Sequence, residues 1–402
     1  MMGEELAING GKPVRETYLP YGRQAIDDED IEAVIKVLKS DYLTTGPVIR
    51  VFERDMAEAT GAKYAVAFSN GTAALHAACY AAGITEGDEV ITTPMTFAAT
   101  SNSVLYQRGR PVFADIDPQT YNIDPKSIKQ LITGKTKAIV PVHFTGQPAE
   151  MDAIMQIADE HKLVVIEDAA HALGALYKNR KIGSIGDMTM FSFHPVKHIT
   201  TGEGGLITTN NQGYYEKLLQ FRTHGITREP SALIENQGPW YYEMQFLGFN
   251  YRITDIQAAL GVTQLQKLHV FIEQRKQLVQ YYREQLSDID ELVLPQIIPH
   301  VDSSWHLFIV KLKLDRLSAG RKTIFEALQK ENIGVNVHYL PVHLHPYYQQ
   351  LGYEKGSCPI AESCYEQFVT LPLFPSMTKS DAADVVTALK KVVHYYRSQR
   401  RE

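Results

Sequence analysis

Tyr64-Ala65-Val66-Ala67-Phe68-Ser69-Asn70-Gly71-Thr72-Ala73-Ala74-Leu75 passes from a short apolar run, through a polar turn with one glycine, into a helix-forming alanine stretch. Strand, turn and helix in that order make a βα unit. Working outward, the same grammar repeats as far as about Thr209, with strand-like runs at 89–92, 111–114, 138–142, 163–166, 189–193 and 205–208. Helical patterns at 73–82 and 151–161 lie between them. Alternation of this kind predicts a layered α/β domain around a mostly parallel sheet. Ligands of such sheets gather at the carboxyl ends of the strands, so the polar residues just after each strand are the candidates for chemistry.

The pattern changes after about Thr254. Leu265, Leu268, Ile272, Val279, Tyr282 and Leu286 recur at helical spacing and predict one long helix leading away from the first domain. A strand at 305–314, a helix at 320–332, a strand at 334–339 and a terminal helix follow. Thr378 and Asp381 form a capping pair ahead of Val385, Leu389, Val392 and Tyr396, which share one face. The expected organisation is a large domain over 1–262, including the N-terminal segment, and a smaller α+β domain over 263–402.

Composition narrows the function classes. With 44% apolar and 21% charged residues the 402-residue chain has the balance of a soluble globular protein. A formal charge of −6 gives little long-range attraction for a polyanion, so no nucleic acid partner is expected. Cys79, Cys358 and Cys364 are an odd number without a C-x-x-C pair, which argues against a disulfide framework or thiolate zinc site and fits a reducing, cytoplasmic setting. Residues 1–11 hold two glutamates and no basic stretch before an apolar one, and no window of about 18 apolar residues follows. Neither an export signal nor a membrane span is expected.

Three stretches can carry chemistry. Gly71 permits close backbone approach, and the first amides of the helix it opens suit an anion such as a phosphate, although an ordinary capped turn reads the same way. Leu163-Val164-Val165-Ile166-Glu167-Asp168-Ala169-Ala170-His171 ends a buried strand in two acids; Asp168 there is open to roles as base, metal ligand, cap or partner of a buried cation. In Phe191-Ser192-Phe193-His194-Pro195-Val196-Lys197-His198-Ile199-Thr200-Thr201-Gly202-Glu203-Gly204-Gly205 one lysine faces a glycine-rich return to the next strand. Solvated surface charge is the default for a lysine, but a constrained loop at a sheet edge can desolvate it into a nucleophilic amine. Neither G-x-x-x-x-G-K-[ST] nor G-x-G-x-x-G is present, which removes the main support for nucleotide-fold readings. An anion cradle, an acid and a lysine, each at the end of a strand, are what pyridoxal 5'-phosphate needs. Phe97 adds a ring that could stack on the pyridine or sit in the core.

Asn70-Gly71-Thr72-Ala73-Ala74-Leu75, Glu167-Asp168-Ala169-Ala170-His171, Ser192-Phe193-His194 with Lys197 and Gly202-Glu203-Gly204-Gly205, and Gly248-Phe249-Asn250-Tyr251-Arg252 resemble, in order and spacing, the signatures of the DegT/DnrJ/EryC1/StrS sugar-nucleotide aminotransferases. The resemblance implies the aspartate aminotransferase type I fold. It implies that Lys197 binds the cofactor's aldehyde, that Asp168 partners the ring nitrogen, and that Ser192, Gly71 and Thr72 hold the phosphate, with Phe97 stacked on the ring. Asn250 matches an asparagine that reaches the phosphate in the neighbouring subunit's site, which implies a homodimer with shared active sites. Tyr21, Leu43-Thr44-Thr45-Gly46 and His338-Tyr339-Leu340-Pro341 resemble substrate-contacting segments. Residues 193–205 are most similar to the branch that aminates a UDP-linked 4-keto-6-deoxy-N-acetylhexosamine, with L-glutamate as donor, for pseudaminic acid synthesis. His198 stands where that branch has proline. Family members acting on a bacillosamine precursor or GDP-perosamine are the nearer alternative, and a non-catalytic α/β binding protein the farther one. A dehydratase of this fold would carry histidine at the position of Lys197.

Other features read as structure. His338, His343 and His345 are close in sequence but have no acid or thiolate beside them, so no metal site is expected. Arg222 could meet a diphosphate or simply be solvated, His306 beside Trp305 reads as an interior histidine, and Cys79 as core.

Overall fold

The computed structural model describes residues 5–397. The extreme ends of the two expected domains, 1–4 and 398–402, and with them the start of the N-terminal stretch inspected for a signal, lie outside the described residues. All seven expected strands form one sheet: β1 (Tyr64–Phe68), β2 (Glu89–Thr92), β3 (Arg110–Phe113), β4 (Thr136–Val140), β5 (Val164–Asp168), β6 (Met188–Ser192) and β7 (Gly205–Thr209), in the spatial order β1-β7-β6-β5-β4-β2-β3. β2, β3, β4, β5 and β6 are mutually parallel, joined by helical crossovers up to β5 and by a short hairpin, Leu176–Tyr177 with Arg180–Lys181, between β5 and β6, whereas β7 is antiparallel to both β6 and β1. Only a loop joins β6 to β7, and without a crossover two neighbouring strands must run in opposite directions. The α/β, mostly parallel architecture is therefore the one expected.

Two apolar layers sandwich the sheet. One holds Phe52, Phe191, Phe193 and Leu206; the other holds Val66, Phe68, Leu75 and Ile166. Burying each of these large side chains contributes about 1.5–3 kcal/mol. The helix Gly71–Ala81 starts at the end of β1 because the Asn70 side chain accepts a hydrogen bond from the Ala73 N–H at 2.8 Å. Gly205 is required opposite that turn, since a Cβ there would lie 2.4 Å from the Asn70 carbonyl oxygen. β1, its capped helix and β7 are thus locked together at the edge where ligands bind.

The second domain is built on an antiparallel sheet of Leu292–Val293, Phe308–Leu312 and Phe368–Leu371, covered by the helices Leu268–Leu286, Arg321–Lys330 and Lys379–Tyr395. The capping box of Thr378 and Asp381 forms with both reciprocal bonds in place. Three expectations need correcting. The long helix is two, Asp255–Gln266 and Leu268–Leu286, broken at Lys267, and a division at 262/263 would fall inside the first of them. Residues 334–339 do not make a ladder strand; isolated bridges at Ile333 and Asn336 tie that stretch to Leu19 and Thr370 instead. Although residues such as Ile49 and Phe52 pack on the large domain, the first part of the N-terminal segment packs on the core of the small one. Leu6 and Leu19 enter its core, and the buried Glu331 carboxylate accepts from the Ala7 and Val14 amides, each at 2.9 Å. Among the described residues no helix is long and apolar enough to cross a membrane.

Candidate active site

A cleft of about 1020 Å³ opens at the carboxyl ends of the parallel strands, between the two domains. Lys197 lies in it because of how the β6–β7 loop is tied. The Phe193 N–H donates to the Gly204 carbonyl at 2.9 Å, and the Phe193 carbonyl accepts from the Thr201 N–H and the Thr200 hydroxyl at 3.1 and 3.0 Å. With φ +78°, Gly202 makes a left-handed turn that few side chains tolerate. The loop bulges across the cleft floor, and the Lys197 N–H donates to the His194 carbonyl at 2.9 Å. Loss of solvation pulls the Lys197 ammonium down to about 8; Asp168 opposes the change, while Arg275 adds to it. The amine is therefore neutral in part near neutral pH, as a nucleophile or proton carrier must be.

Asp168 ends β5 on the same floor. Its Oδ2 accepts from the Thr100 hydroxyl at 2.7 Å and its Oδ1 from the Ala170 N–H at 3.1 Å. Burial raises its pKa above the usual carboxylate range, with these two bonds acting the other way. Glu167, one residue earlier, points to the opposite face, as strand alternation requires. Its carboxylate accepts from the Gly186 N–H at 2.7 Å, the Thr189 hydroxyl at 2.8 Å and His143 Nε2 at 2.8 Å. His143 Nδ1 accepts from the Ala149 N–H at 3.0 Å, so the ring proton sits on Nε2 and the pair is a hydrogen bond of neutral imidazole to carboxylate. Of the two acids, Glu167 is thus a structural one. Glu167→Ala strands three buried donors and is expected to lower unfolding free energy by about 3 kcal/mol in urea titration, with the Lys197 cleft still formed.

Of the residues expected from sequence, Lys197, Asp168, Gly71, Thr72, Ser192, Phe97, Tyr21, His338 and Tyr339 line this cleft. Gly71 and Ser192 form one corner, the Ser192 Oγ lying 3.5 Å from where a Cβ on residue 71 would be. The Gly71 and Thr72 amides are at the first turn, where no carbonyl of the helix can serve them. Phe97 is 63% exposed, with its ring centroid 6.3 Å from that of Tyr339. Leu43, Thr44, Thr45, Gly46, Asn250, Leu340 and Pro341 do not line the cleft. Thr45 and Gly46 instead edge a second hollow of about 790 Å³ with Thr223 and Arg252. Asn250 is exposed and bridges to Thr223, and the Gly46 N–H donates to Asp255 at 2.7 Å, so this group shares one region of the surface. Arg222 is neither solvated nor in the cleft; it is paired with Glu53 and donates to the Ala67 carbonyl.

Several cleft residues carried no recognisable signal. Thr100 is a small polar residue in a helix, and only the fold brings it to Asp168. His306 is buried, as its surroundings in sequence suggest, yet its Nε2 lies 3.5 Å from Lys197 Nζ. Its ring centroid is 4.4 Å from that of His171, whose Nε2 lies 3.2 Å from the Tyr339 hydroxyl. Burial first, and then Lys197, holds His171 and His306 well below the usual histidine range, so both are neutral. His338 and His343 turn to different partners, Thr370 and Glu362, each at 2.8 Å.

Pyridoxal phosphate fits these residues. A buried carboxylate without an ion-pair partner among the described residues, a desolvated lysine and a capped helix N-terminus face one cleft, while the Nδ1 atoms of His171 and His306 are buried without a hydrogen bond. Such a floor in an α/β fold of this topology suits a pyridoxal-phosphate-dependent enzyme. Over residues 24–390 the chain matches the DegT/DnrJ/EryC1/StrS aminotransferase family, and it belongs to that family. It is 42% identical to the spore coat polysaccharide biosynthesis protein SpsC of Bacillus subtilis, over 94% of this chain and 98% of SpsC. Among solved structures, Helicobacter pylori PseC, an aminotransferase of pseudaminic acid biosynthesis, superposes with a TM-score of 0.88 at 31% identity, covering 94% of this chain and all of that one. The sugar aminotransferase Spr1654 of Streptococcus pneumoniae, solved in a pyridoxal phosphate form, superposes with a TM-score of 0.88 at 30% identity over 94% of this chain and 99% of its own. The chain is a sugar aminotransferase that uses pyridoxal phosphate.

Proposed function

We propose that this enzyme transfers the amino group of L-glutamate to C4 of a UDP-linked 4-keto-6-deoxy-N-acetylhexosamine, giving UDP-4-amino-4,6-dideoxy-N-acetyl-beta-L-altrosamine. The pairing of Lys197 with Asp168 on one cleft floor carries the reaction type, and the likeness to PseC supports the sugar. Pyridoxal phosphate, when bound, supplies an aldehyde that takes up the amino group and a ring that accepts the electrons of the broken C–H bond. Asp168 is the carboxylate that would hold the ring nitrogen, the Gly71 and Thr72 amides with Ser192 would hold the phosphate, and Phe97 would cover the ring. Lys197 Nζ then carries a proton away from the donor's α carbon and later delivers one to the sugar's C4. Tyr21 and His338, with ring centroids 5.6 Å apart, wall the cleft on the substrate side. Nucleotide and diphosphate contribute binding energy far from the reacting carbon, which can orient the ketone.

The placement of Leu43-Thr44-Thr45-Gly46 and Asn250 outside their own chain's cleft supports a homodimer in which each chain completes its partner's site. A second reading of the sugar, a different 4-keto nucleotide sugar of surface polysaccharide synthesis, is favoured by the likeness to SpsC. Absorbance separates the two. The visible band of the pure protein is expected to fall on addition of L-glutamate and to return with the UDP-linked 4-keto-6-deoxy-N-acetylhexosamine. Return only with another 4-keto sugar would transfer the assignment to the second reading, and no response to any donor would reject both.

A further inference from the structure

We infer that Arg275, which does not touch the cleft, is the positioning residue that sets His306 against Lys197 and fixes Tyr21 on the facing wall. It sits on the helix Leu268–Leu286 and is buried. One nitrogen, Nη1, donates to three carbonyls from two separate segments: Trp305 at 3.4 Å, His306 at 3.2 Å and Leu373 at 2.8 Å. The first two hold the backbone that presents the His306 ring, whose Nε2 lies 3.5 Å from Lys197 Nζ. From the third the connection continues, since the Leu373 N–H donates to the Tyr21 carbonyl at 3.1 Å and Tyr21 lines the cleft. Both walls beside the amine are therefore tied to a single guanidinium.

Packing alone does not call for an arginine here. Among the described residues Arg275 has no ion pair, and its Nε and Nη2 are buried without a hydrogen-bond acceptor. An apolar side chain of similar volume would fill the space without the desolvation cost of the charge. What an apolar side chain would lack is the three-way donation, and what only a cation supplies is a positive charge behind the cleft. Burial draws Arg275 down to about 9, so it stays charged at neutral pH. Lys197 is faced by Asp168 on β5, by His171, His198, His306 and His338 on the surrounding loops and by Arg275 from the helix, with Tyr21 and Tyr339 lining the same cleft. Burial makes the four histidines neutral, leaving Asp168 and Arg275 as the opposing charges nearest the amine.

The inference rests on Lys197 being the reactive amine, and its test is separable from that assignment. The full-length chain, stripped of cofactor, is labelled with trace acetic anhydride across a pH series, and modification of Lys197 is followed by peptide mass spectrometry. Arg275→Met is expected to raise the pH of half-maximal labelling by about half a unit, with labelling near pH 7, below both midpoints, slowed about threefold. KM for the sugar rises as well, through the Tyr21 wall. Arg275→Gln, which keeps amide donors for the carbonyls but no charge, serves where the methionine variant fails to fold and is expected to shift in the same direction. Arg275→Lys, with three donors on one charged nitrogen, brings the profile back toward wild type. Tyr282→Phe removes a bond from the same helix to the Pro372 carbonyl, 2.8 Å long, and leaves the profile unchanged. A wild-type profile in a folded Met or Gln variant, no recovery with lysine, or an equal shift in Tyr282→Phe would each overturn the role of Arg275 while leaving the Lys197 assignment standing.

Discussion

Lys197→Ala is expected to abolish turnover, on the order of ten-thousandfold or more, because in the proposed function one amine is both the cofactor's covalent anchor and the proton carrier. Few lysines could replace it. The position is half-buried at the cleft floor, its loop is tied by the Phe193 and His194 carbonyls, and loss of solvation brings its ammonium down to about 8. Among the described residues no other lysine lines the cleft. Steady-state assays should show the loss with both substrates saturating, and the purified variant should lack the visible absorbance of the loaded enzyme. Folding is expected to be intact, because truncating a desolvated amine removes a cost rather than a contact.

Asp168→Asn is expected to lower turnover by on the order of a hundredfold to a thousandfold, the scale of losing one aligned charge partner at a reacting centre. The change is nearly isosteric. One of the two bonds, from the Thr100 hydroxyl or the Ala170 N–H, can still reach the amide oxygen. Burial disfavours the carboxylate charge and has pushed its pKa up, so the neutral amide should leave thermal stability equal or slightly higher. A fall in rate beside an unchanged melting curve is the signature of a charge acting on the cofactor ring. Unchanged turnover would remove Asp168 from that role.

The sheet was legible because each strand is short, apolar and followed by its own turn chemistry. β1 ends where Asn70 caps, and β6 ends where proline and glycines forbid continuation. Lys197 and Asp168 were legible for the same reason, since both follow strands directly. Periodicity misled where it ran across a break. Leu265 and Leu268 keep helical spacing over Lys267, although the two helices stop and restart there. Residues 334–339 read as a strand by composition but find only single bridges, because their neighbours are the chain's N-terminal segment and one short strand. His306, Thr100 and Arg275 escaped because what matters about each is a contact made over a long stretch of sequence: 109 residues from Lys197, 68 from Asp168 and 98 from Leu373. No local pattern encodes such a contact. The segments expected to touch substrate, and Asn250, expected to reach the phosphate, rested on family resemblance alone, and residues 43–46 and 250 do not line the cleft of their own chain.

Reduction of the pyridoxal-phosphate-loaded enzyme with borohydride, followed by digestion and mass spectrometry, addresses the covalent anchor itself. The account predicts one pyridoxyl adduct, on the peptide containing Lys197 and at that residue. An adduct on a different lysine, or a loaded enzyme that yields none, would contradict it.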